Sequence, residues 1–563
     1  MHDPRHDLTP NGSGLVRIAD YLVERLQEHG VEHIFGVPGD FVLKLFDVFE
    51  ESPITVVNTC DEQGAGFAAD AYARIRGLGV VCVTYGVGGL KIANTTGQAY
   101  AEESPVVVIS GAPGLEEQAD QILLHHMVKG YDTQRIIFDQ LTVASTVLND
   151  PEIACREIDR VLAAALTHKR PVYIELPRDM TMVEVPRPVS RPSGPEPSDP
   201  GTLAAAVEDA LSMLRASRQP VTFLGLQAVR FGLMPTAMRM IERASLPTAV
   251  TPLDKSAISE QHRCFIGVYA GGMSREDVRA YVESADCLLL LGPLMTDVNL
   301  GGNTAELVQE RCIHASRYQV KIGYRTYDRV RLGDFVQALA DASLPDFSHL
   351  KLPARADTCS TWRAEPETKI SVARLFERLG CFLSDDTMVM ADPGDAMFGA
   401  LDLPVRQDHD FLANAFYASL GFAVPASIGA QLAAPDRRPL VLVGDGSFQM
   451  TGIELSTSLR YGLSPIVVIL NNAGYLTERL MIDGQFNDVL QWDYTKLPDL
   501  FQAGRAFLVE SEKDLDTALA AVDALRDEVC ILDVRLDPMD ASPALMRLAE
   551  RFGAAAGSTV AAG

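Results

Sequence analysis

The sequence is poor in positive charge and in cysteine, and it contains no long apolar run. Its 49 Lys and Arg against 75 Asp and Glu give a formal net charge of −26, which argues against nucleic acid or an anionic membrane as a partner. Its nine cysteines include no C-x-x-C pair, a usage that favours reduced thiols and a cytoplasmic location. No apolar run approaches the roughly 20 residues that a membrane-spanning helix needs, so we expect no membrane segment.

The length and composition indicate a globular protein of several domains. At 563 residues the chain is too long for one hydrophobic core, so we expect roughly two to four domains. Hydrophobic residues make up 47% and charged residues 22% of the chain, which is ordinary for a globular protein. The segment Met1–Gly14 is polar and lacks the apolar core of a secretory signal, so we expect a loose tail there.

Short apolar runs alternate with helical patterns along most of the chain, which is typical of doubly wound α/β domains. We place three such domains, with mostly parallel sheets, at residues 14–185, 202–348 and 369–538. Polar or Pro-rich linkers are predicted at Pro186–Pro200 and His349–Thr368. We expect a closing helix at Ala541–Phe552 and a disordered end over Gly553–Gly563. The predicted strands are His33–Val37, Thr55–Asn58, Val80–Thr84, Val106–Ser110, Val172–Glu175, Val221–Leu224 and Cys287–Leu291.

Two apolar runs in the third segment each stop at oxygen-bearing side chains. Pro439–Val443 is followed by Gly-Asp-Gly, and Pro465–Leu470 is followed by Asn-Asn-Ala-Gly. A helical pattern at about Gln449–Tyr461 lies between them, so a strand, a helix and a parallel strand return both run ends to one sheet edge. Asp445 and Asn472, 27 residues apart, should therefore lie side by side where open α/β sheets bind ligands.

The groups at this edge favour a hard divalent cation. Asp445 offers a carboxylate, Asn472 an amide oxygen and Gly474 a backbone carbonyl. Such oxygens suit Mg²⁺ or Ca²⁺ rather than zinc, and phosphate oxygens usually complete the coordination. Gly444 and Gly446 would let a diphosphate approach the backbone, and the following helix would point its amino end at the anion. The alternative is a strand-turn-helix corner in which the Asp only caps the helix.

The segment GDGSFQMTGIELSTSLRYGLSPIVVILNNAGYLTE resembles the thiamine-diphosphate fingerprint, in which GDG precedes NN by about 25 to 30 residues. The resemblance covers nearly the whole chain and is strongest to the 2-oxo-acid decarboxylases for pyruvate, indolepyruvate, phenylpyruvate and branched-chain oxo acids. It implies thiamine diphosphate and Mg²⁺ as cofactors, and pyrimidine-binding, middle and diphosphate-binding domains in that order. The implied metal ligands are Asp445, Asn472 and Gly474. The implied coenzyme contacts in the same region are Gly444, Asp445, Gly446, Ser447, Asn472, Gly474 and Tyr475.

Glu62 is the predicted partner of the far ring of the coenzyme. Cys60-Asp61-Glu62-Gln63 resembles the family's strand-to-helix turn, which carries a glutamate at the ring nitrogen of the aminopyrimidine. A protonatable carboxyl there favours the imino form of the ring, whose exocyclic nitrogen can take the proton from the thiazolium carbon. The alternative is that Glu62 is simply an acid in the first turn of a helix.

Four further polar side chains resemble the family's proton-transfer groups. Asp40 follows the first predicted strand in a Pro-Gly turn, where an ordinary Asp is also common. His125 and His126 resemble the paired histidines of the decarboxylase branch, although neighbouring histidines also occur on surfaces. Glu478, shortly after the Asn-Asn pair, matches the family's catalytic glutamate. With Glu62 these are the predicted catalytic residues, and which acid protonates the substrate-derived carbon stays open.

The resemblance also places the groups that keep the coenzyme bent. Aligning through Gly421-Phe422-Ala423-Val424-Pro425 puts Leu420 between the two rings. The same alignment puts the backbone carbonyl of Ala418 at the amino group of the ring. Without the alignment, Leu420 would be an ordinary core residue.

The predicted substrate pocket contains Val298, Met397, Thr477 and Met481. Where pyruvate-specific members carry bulky aromatics, this chain places Met397 and Val298, and flexible Met leaves room for a large side chain. We therefore expect an aromatic 2-oxo acid, such as phenylpyruvate or indolepyruvate, or a branched-chain one, to be converted to its aldehyde and carbon dioxide. Pyruvate remains an alternative, because one methylene changes discrimination by only ~1–3 kcal/mol.

The family resemblance also bears on assembly and on rival functions. Family members hold each coenzyme between the first domain of one subunit and the third domain of another, which implies a homodimer as the minimal active unit and a homotetramer as the assembly. One rival is a carboligase that forms acyloins or acetohydroxy acids, although the paired histidines and Glu478 argue against it. Another is a catalytically idle cofactor-binding subunit, which the retained Glu62 opposes. The loop Gly86-Val87-Gly88-Gly89 matches a dinucleotide-binding glycine motif only weakly.

Overall fold

The computed structural model describes residues 14–188, 194, 196–355, 362–406 and 410–550. The chain divides into two compact units, one on each side of residue 195. Among the described residues, no helix is long and apolar enough to cross a bilayer. The predicted loose tail, except Gly14, and the predicted disordered end lie outside the described residues.

The first unit is built on a six-stranded parallel sheet in the order β3-β2-β4-β5-β7-β6, beside a two-stranded antiparallel ribbon of β1 and β8. Strands β4 and β5 are buried at every residue, as expected where both faces of a parallel sheet are covered. The strands are β1 (Leu15–Arg17), β2 (His33–Gly36), β3 (Thr55–Asn58), β4 (Gly79–Val83), β5 (Val106–Ala112), β6 (Ala144–Val147), β7 (Val172–Pro177) and β8 (Glu184–Pro186). The helices are Ile18–Glu28, Leu43–Glu50, Glu62–Arg76, Val87–Lys91, Ala93–Ala101, Leu115–Ala119, Thr133–Asp139 and Ala154–His168.

The second unit begins with a seven-stranded sheet in the order β11-β10-β9-β12-β13-β14-β15. Its first five strands are parallel, and the last two extend the sheet as an antiparallel hairpin. The strands are β9 (Pro220–Leu224), β10 (Thr248–Val250), β11 (Phe265–Val268), β12 (Cys287–Leu291), β13 (Cys312–Ser316), β14 (Gln319–Ile322) and β15 (Arg325–Asp328). The α-helices are Pro200–Ala216, Leu226–Arg230, Met234–Ala244, Glu276–Glu283 and Leu332–Asp341, and the 3₁₀ turns are Pro252–Asp254, Gly271–Met273 and Gln309–Arg311.

A second six-stranded parallel sheet, in the order β17-β16-β18-β19-β21-β20, completes this unit. The strands are β16 (Thr387–Ala391), β17 (Phe411–Ala413), β18 (Arg438–Gly444), β19 (Ile466–Asn471), β20 (Arg505–Val509) and β21 (Cys530–Arg535). The α-helices are Val372–Phe382, Asp395–Ala400, Ala423–Ala433, Asp445–Thr451, Leu455–Arg460, Leu476–Met481, Leu497–Phe501 and Glu512–Ala524, with helical residues again at 543–550. The 3₁₀ turns are Gly452–Glu454, Gln485–Asn487 and Tyr494–Lys496.

The two six-stranded sheets share one strand order, in agreement with the alternating pattern that the first and third segments have in common. In each sheet the direction of winding reverses at one point, between β2 and β4 and between β16 and β18. Open α/β sheets bind ligands beyond the carboxyl ends of the strands at such a point. The segments that follow these strand ends start at Val37, Thr84, Asp392 and Asp445.

Two predicted helices differ from the observed ones. The helix predicted at Gln449–Tyr461 begins earlier, at Asp445, and a 3₁₀ turn at Gly452–Glu454 divides it. The Gly-Asp-Gly sequence suggests a loop, but Gly444 is the N-cap and an acid is favourable in the first helical turn. Of the predicted closing helix Ala541–Phe552, residues 543–550 are helical and residues 551–552 lie outside the described residues.

Candidate active site

Asp445 and Asn472 lie at the ends of neighbouring strands. β18 and β19 pair in parallel, with Gly444 opposite Leu470. Asp445 is the first residue of the helix that leaves β18, and Asn472 follows β19 directly. Both residues are buried. The spacing argument thus places a carboxylate and an amide at one edge of the sheet.

The Asp445 carboxylate has one oxygen bonded to the protein and one that is not. Oδ1 accepts a hydrogen bond from the backbone N–H of Gly446 at 2.8 Å. Oδ2 is buried and has no hydrogen-bond partner among the described residues. Burial raises the pKa of Asp445 to about 6, against the opposing effect of nearby backbone N–H groups. A buried carboxylate oxygen without a partner is costly unless a cation or a donor meets it, so these residues fit a divalent cation.

The loop that carries Asn472 and Gly474 is held in a strained conformation. Ala473 has a φ of 60°, a left-handed conformation that costs a residue with a Cβ about 1–2 kcal/mol. Its carbonyl accepts hydrogen bonds from Arg479 Nη2 at 3.1 Å and from the backbone N–H of Val489 at 3.2 Å. A Cβ on Gly474 would lie 2.3 Å from the carbonyl oxygen of Asn487, so glycine is required there. Close packing therefore fixes this loop beside Asp445.

The first asparagine of the Asn-Asn pair has a structural role. Asn471 Nδ2 donates to Asp533 Oδ1 at 2.8 Å, and its backbone carbonyl accepts from the N–H of Leu536 at 3.0 Å. Asp533 also pairs with Arg535 at 2.6 Å. Asn471 therefore anchors the end of β19 to β21, while Asn472 lines a cavity.

The two glycines of the Gly-Asp-Gly turn serve different purposes. A Cβ at Gly446 would lie 2.4 Å from Cε1 of Tyr475, so the absence of a side chain lets the Tyr475 ring pack on the backbone. A Cβ at Gly444 would meet no atom of the described residues within 4 Å. Because Gly444 also lines the cavity, its backbone is open to the close approach of a diphosphate.

A cavity of about 370 Å³ lies at this edge of the sheet. It brings together most of the predicted residues of the second unit: Val298, Met397, Ala418, Leu420, Gly444, Asp445, Gly446, Ser447, Asn472, Gly474, Tyr475, Thr477 and Glu478. Met481 is not among its lining residues and is 72% exposed, so its place in the pocket remains a prediction. Glu478 and Ala418 line the cavity but are exposed.

Asp392 is a buried residue at this site that the sequence prediction missed. Its carboxylate accepts hydrogen bonds from the backbone N–H groups of Gly421 at 3.0 Å and Ala423 at 2.8 Å. Burial raises the pKa of Asp392 to about 6. Ala418 (φ 57°) and Gly421 (φ 86°) are both left-handed, so Asp392 holds the strained turn that presents Leu420 to the cavity. An acid directly after the apolar run 387–391 was an available signal, since the same rule located Asp445.

Asp395, which also lines the cavity, anchors the C-terminal segment. Its carboxylate accepts hydrogen bonds from the backbone N–H of Ser542, at 2.7 Å, and from the Ser542 hydroxyl. Leu545 then packs against Leu476, the first residue of the helix that carries Glu478. The C-terminal helix therefore covers the element on which a predicted catalytic group stands.

In the first unit, Asp40, His125 and His126 form one cluster. His125 Nε2 lies 2.9 Å from Asp40 Oδ2. The His125 ring stacks on Phe41 with centroids 4.9 Å apart, and His126 meets the same ring edge-on at 5.9 Å. Arg178 lies over Phe41 at 5.1 Å. Phe41, which no sequence signal singled out, is thus the buried platform on which the paired imidazoles stand.

Two glycines let the loops of this cluster approach each other. A Cβ at Gly39 would lie 2.5 Å from Cβ of Thr84, and one at Gly86 would lie 2.3 Å from the carbonyl oxygen of His126. His126 itself has a φ of 67°, and such strain is common at functional sites. The weak dinucleotide-type glycine loop therefore serves here to seat His126.

Glu62 begins the helix Glu62–Arg76, with Asp61 as its N-cap. Its side chain is 12% exposed, and its Oε2 lies 2.9 Å from Nζ of Lys91. Lys91 also forms an ion pair with Asp61. The sequence prediction missed the contact between Lys91 and Glu62, because Lys91 lies in a later helix of the chain.

Comparison with known proteins places all three segments in one family. Residues 16–140 match the family model described as "Thiamine pyrophosphate enzyme, N-terminal TPP binding domain". Residues 207–342 match its central domain, and residues 394–534 match its C-terminal TPP binding domain. The chain therefore binds thiamine diphosphate through domains that include both candidate clusters.

Three relatives of known type indicate which reaction the family members catalyse. An indole-3-pyruvate decarboxylase of Azospirillum brasilense is 35% identical over 92% of this chain and 95% of its own length. An alpha-keto-acid decarboxylase of Mycobacterium leprae is 32% identical over 94% and 95%, and pyruvate decarboxylase 1 of Pisum sativum is 32% identical over 95% and 93%. With this similarity over the full fold, the chain belongs to the family of thiamine-diphosphate-dependent 2-oxo-acid decarboxylases.

Proposed function

We propose that this decarboxylase acts on 2-oxo acids with a large aromatic or branched apolar side chain, releasing the corresponding aldehyde and carbon dioxide. The main support for this proposal is the cavity of about 370 Å³, in which apolar side chains such as Val298, Met397 and Leu476 lie beside the candidate coenzyme ligands. The name of the A. brasilense relative fits a large aromatic side chain. The name of the P. sativum relative makes pyruvate the comparison substrate.

Mg²⁺ is the proposed cation at Asp445, Asn472 and Gly474. The support is the buried Asp445 Oδ2, which has no hydrogen-bond partner among the described residues, together with a set of hard oxygen donors. If the cation holds the coenzyme's diphosphate, dialysis against EDTA should strip thiamine diphosphate from the protein. Mg²⁺ should restore its retention, whereas retention that is unaffected by EDTA would contradict this role.

The coenzyme, when bound, supplies the electron sink that accepts the electron pair as carbon dioxide leaves. The chain supplies position and proton control. Glu62 is proposed to hold a carboxyl at the ring nitrogen, and the backbone carbonyl of Ala418 to accept from the ring amino group. Leu420, held between two left-handed residues, is proposed to keep the coenzyme bent.

Asp40, His125, His126 and Glu478 are proposed to control protons at the substrate. The 2.9 Å contact between His125 Nε2 and Asp40 Oδ2 lets these two groups share a proton and pass it to a reacting atom within reach. The stacking of His125 on Phe41 limits the imidazole to one orientation.

The oligomeric state of the protein is proposed partly from an exposed apolar segment, and its location in the cell from its amino-acid composition. Met481, Ile482 and Phe486 are each 72% exposed and Leu490 is 77% exposed, all on one segment after Glu478. Such an exposed apolar segment favours burial against another subunit. We take a homodimer as the minimal active unit and a homotetramer as the assembly, as in the family that the sequence resembles. A cytoplasmic location remains a prediction from the few cysteines.

The test is a steady-state comparison of phenylpyruvate, indolepyruvate, 4-methyl-2-oxopentanoate and pyruvate, with aldehyde and carbon dioxide both measured. We expect kcat/KM for the large substrates to exceed that for pyruvate by about tenfold or more, the discrimination that ~1–3 kcal/mol of pocket contacts provides. Pyruvate turned over far better than phenylpyruvate would reject the proposed preference. An acyloin or acetohydroxy acid as the main product would instead favour the carboligase function.

A matched pair of variants locates the pocket. Met397→Trp should lower kcat/KM for phenylpyruvate more than for pyruvate, because Met397 lines the cavity. Met539→Trp is the control, since Met539 is exposed and does not line the cavity. Equal effects of both variants on the two substrates would remove Met397 from the pocket.

A further inference from the structure

Lys91 makes a contact that the family assignment does not explain. Its Nζ lies 2.9 Å from Glu62 Oε2, and it also pairs with Asp61. The Glu62 side chain is 12% exposed, whereas Lys91 and Asp61 are 49% and 40% exposed. A half-exposed cation therefore reaches an almost buried carboxylate that is predicted to meet the coenzyme.

The surroundings allow Lys91 to leave Glu62 without losing an ionic partner. Asp61 presents Oδ2 to Lys91, while its Oδ1 accepts from the backbone N–H of Gln63 and caps the helix. A small rotation of the flexible lysine stem can thus break the contact with Glu62 while the contact with Asp61 remains. On the opposite side of Glu62, residue 88 is a glycine, and a Cβ added to it would lie 3.3 Å from Glu62 Oε1. Because Gly88 has no side chain, residue 88 leaves that oxygen uncovered.

We propose that Lys91 is a positioning residue that holds the Glu62 carboxylate in the free protein and keeps only its contact with Asp61 when the aminopyrimidine ring of the coenzyme binds Glu62. This inference rests on the proposed role of Glu62. The ammonium group and the ring nitrogen compete for the same carboxyl group, since the ammonium favours the carboxylate and the ring nitrogen needs a protonated or proton-sharing partner. Coenzyme binding then includes the cost of breaking the contact between Lys91 and Glu62.

Opposite effects of two variants follow from this competition. Lys91→Met removes the competitor, so the dissociation constant for thiamine diphosphate should fall about two- to fivefold, the worth of a partly exposed ion pair. Asp61→Asn keeps a good N-cap but removes the second carboxylate, so the dissociation constant should rise by a similar factor of about two to five. In the Lys91→Met background, Asp61→Asn should have no further effect.

The experiment is calorimetric titration of the full-length, coenzyme-free protein with thiamine diphosphate in excess Mg²⁺. Lys91→Arg should restore the wild-type dissociation constant, because it keeps the cation. Lys44→Met is the charge-matched control, since Lys44 is an exposed lysine of the same unit. Loss of a positive charge alone should weaken binding of an anionic diphosphate, which is the opposite of the effect expected for Lys91→Met.

The outcomes separate this inference from the proposed function. If Lys91→Met binds thiamine diphosphate as wild type does or more weakly, or if the effects of the two single variants are additive, the proposed release of Lys91 from Glu62 is overturned while Glu62 keeps its role. If Glu62→Gln leaves both affinity and turnover unchanged, the role of Glu62 falls, and the inference falls with it. Tighter binding by Lys91→Met, weaker binding by Asp61→Asn and a non-additive double variant together support the proposal.

Discussion

The sharpest test of the coenzyme site compares Gly444→Ala with Gly446→Ala. The two glycines flank Asp445 and both line the cavity. Their surroundings differ, because a Cβ at Gly444 meets no atom of the residues that the structure describes within 4 Å, whereas one at Gly446 lies 2.4 Å from the Tyr475 ring. If the diphosphate passes along Gly444, a methyl group there obstructs the coenzyme without disturbing the protein.

The expected magnitudes follow from these contacts. Gly444 has φ −70° and ψ 155°, which alanine adopts freely, so restricting the unfolded chain should stabilise the variant by ~0.4–1 kcal/mol. Alanine is a poorer N-cap than glycine by a similar amount, ~0.5–1 kcal/mol, so we expect little net change in stability. At Gly446 the overlap with Tyr475 should cost ~1–3 kcal/mol even without coenzyme.

The assay combines urea unfolding of the coenzyme-free proteins with calorimetric titration of thiamine diphosphate. For Gly444→Ala we expect an unchanged unfolding midpoint and a dissociation constant raised about tenfold or more, the effect of ~1–3 kcal/mol of overpacking. For Gly446→Ala we expect both a lower midpoint and weaker binding. Wild-type affinity in Gly444→Ala would refute the argument that the diphosphate approaches the backbone at this glycine.

Three further predictions concern residues that support the site. Arg438 donates hydrogen bonds to the backbone carbonyls of Ser464, Val522, Leu525 and Glu528. Arg438→Met should therefore lower the free energy of unfolding by ~3–5 kcal/mol. The control is Arg526→Met, which should change it by less than ~1 kcal/mol because Arg526 is half-exposed. Burial raises the pKa of Asp392 from 3.8 to about 6, so the folded state binds more protons than the unfolded state between these values. Wild type should therefore lose ~2–3 kcal/mol of stability relative to Asp392→Asn as the pH rises from about 4 to 7, and a pH-independent difference would exclude a buried, titrating Asp392. Phe41→Leu removes the ring that packs against His125 and His126. Aromatic contacts of this kind contribute ~0.5–1.5 kcal/mol, so kcat should fall roughly three- to tenfold while the affinity for the coenzyme stays unchanged. An unchanged kcat would show that Phe41 does not position the imidazoles.

The features that could be predicted from the sequence follow local rules. Parallel strands end at a common sheet edge, so apolar runs of strand length place Asp445 beside Asn472 without further information. Asp40 and Asp392 obey the same rule, although only Asp40 was predicted. Assigning Glu62, Ala418 and Leu420 needed the family resemblance, because an acid at a helix start and a leucine near a glycine are common in any protein.

The features that escaped prediction depend on contacts between distant segments. Lys91 reaches Glu62 from a later helix, and the four carbonyls that Arg438 binds come from two separate segments, at residue 464 and at residues 522–528. Gly446 was attributed to the diphosphate, whereas the packed ring of Tyr475 already requires a glycine there. Met481, which the family resemblance places in the pocket, is exposed and is not among the residues that line the cavity, and its place in the pocket stays a prediction. Sequence spacing does not encode side-chain direction or non-local packing.

Coexpression of Glu62→Gln and Asp445→Ala chains tests most directly whether the two residues serve one catalytic site shared by two subunits. Each variant alone should show no turnover, because every site lacks one of the two groups. In randomly mixed dimers one site in four combines an intact Glu62 with an intact Asp445, so about a quarter of the wild-type turnover of phenylpyruvate should return. Mixed assemblies that contain both chains and remain inactive would contradict the account.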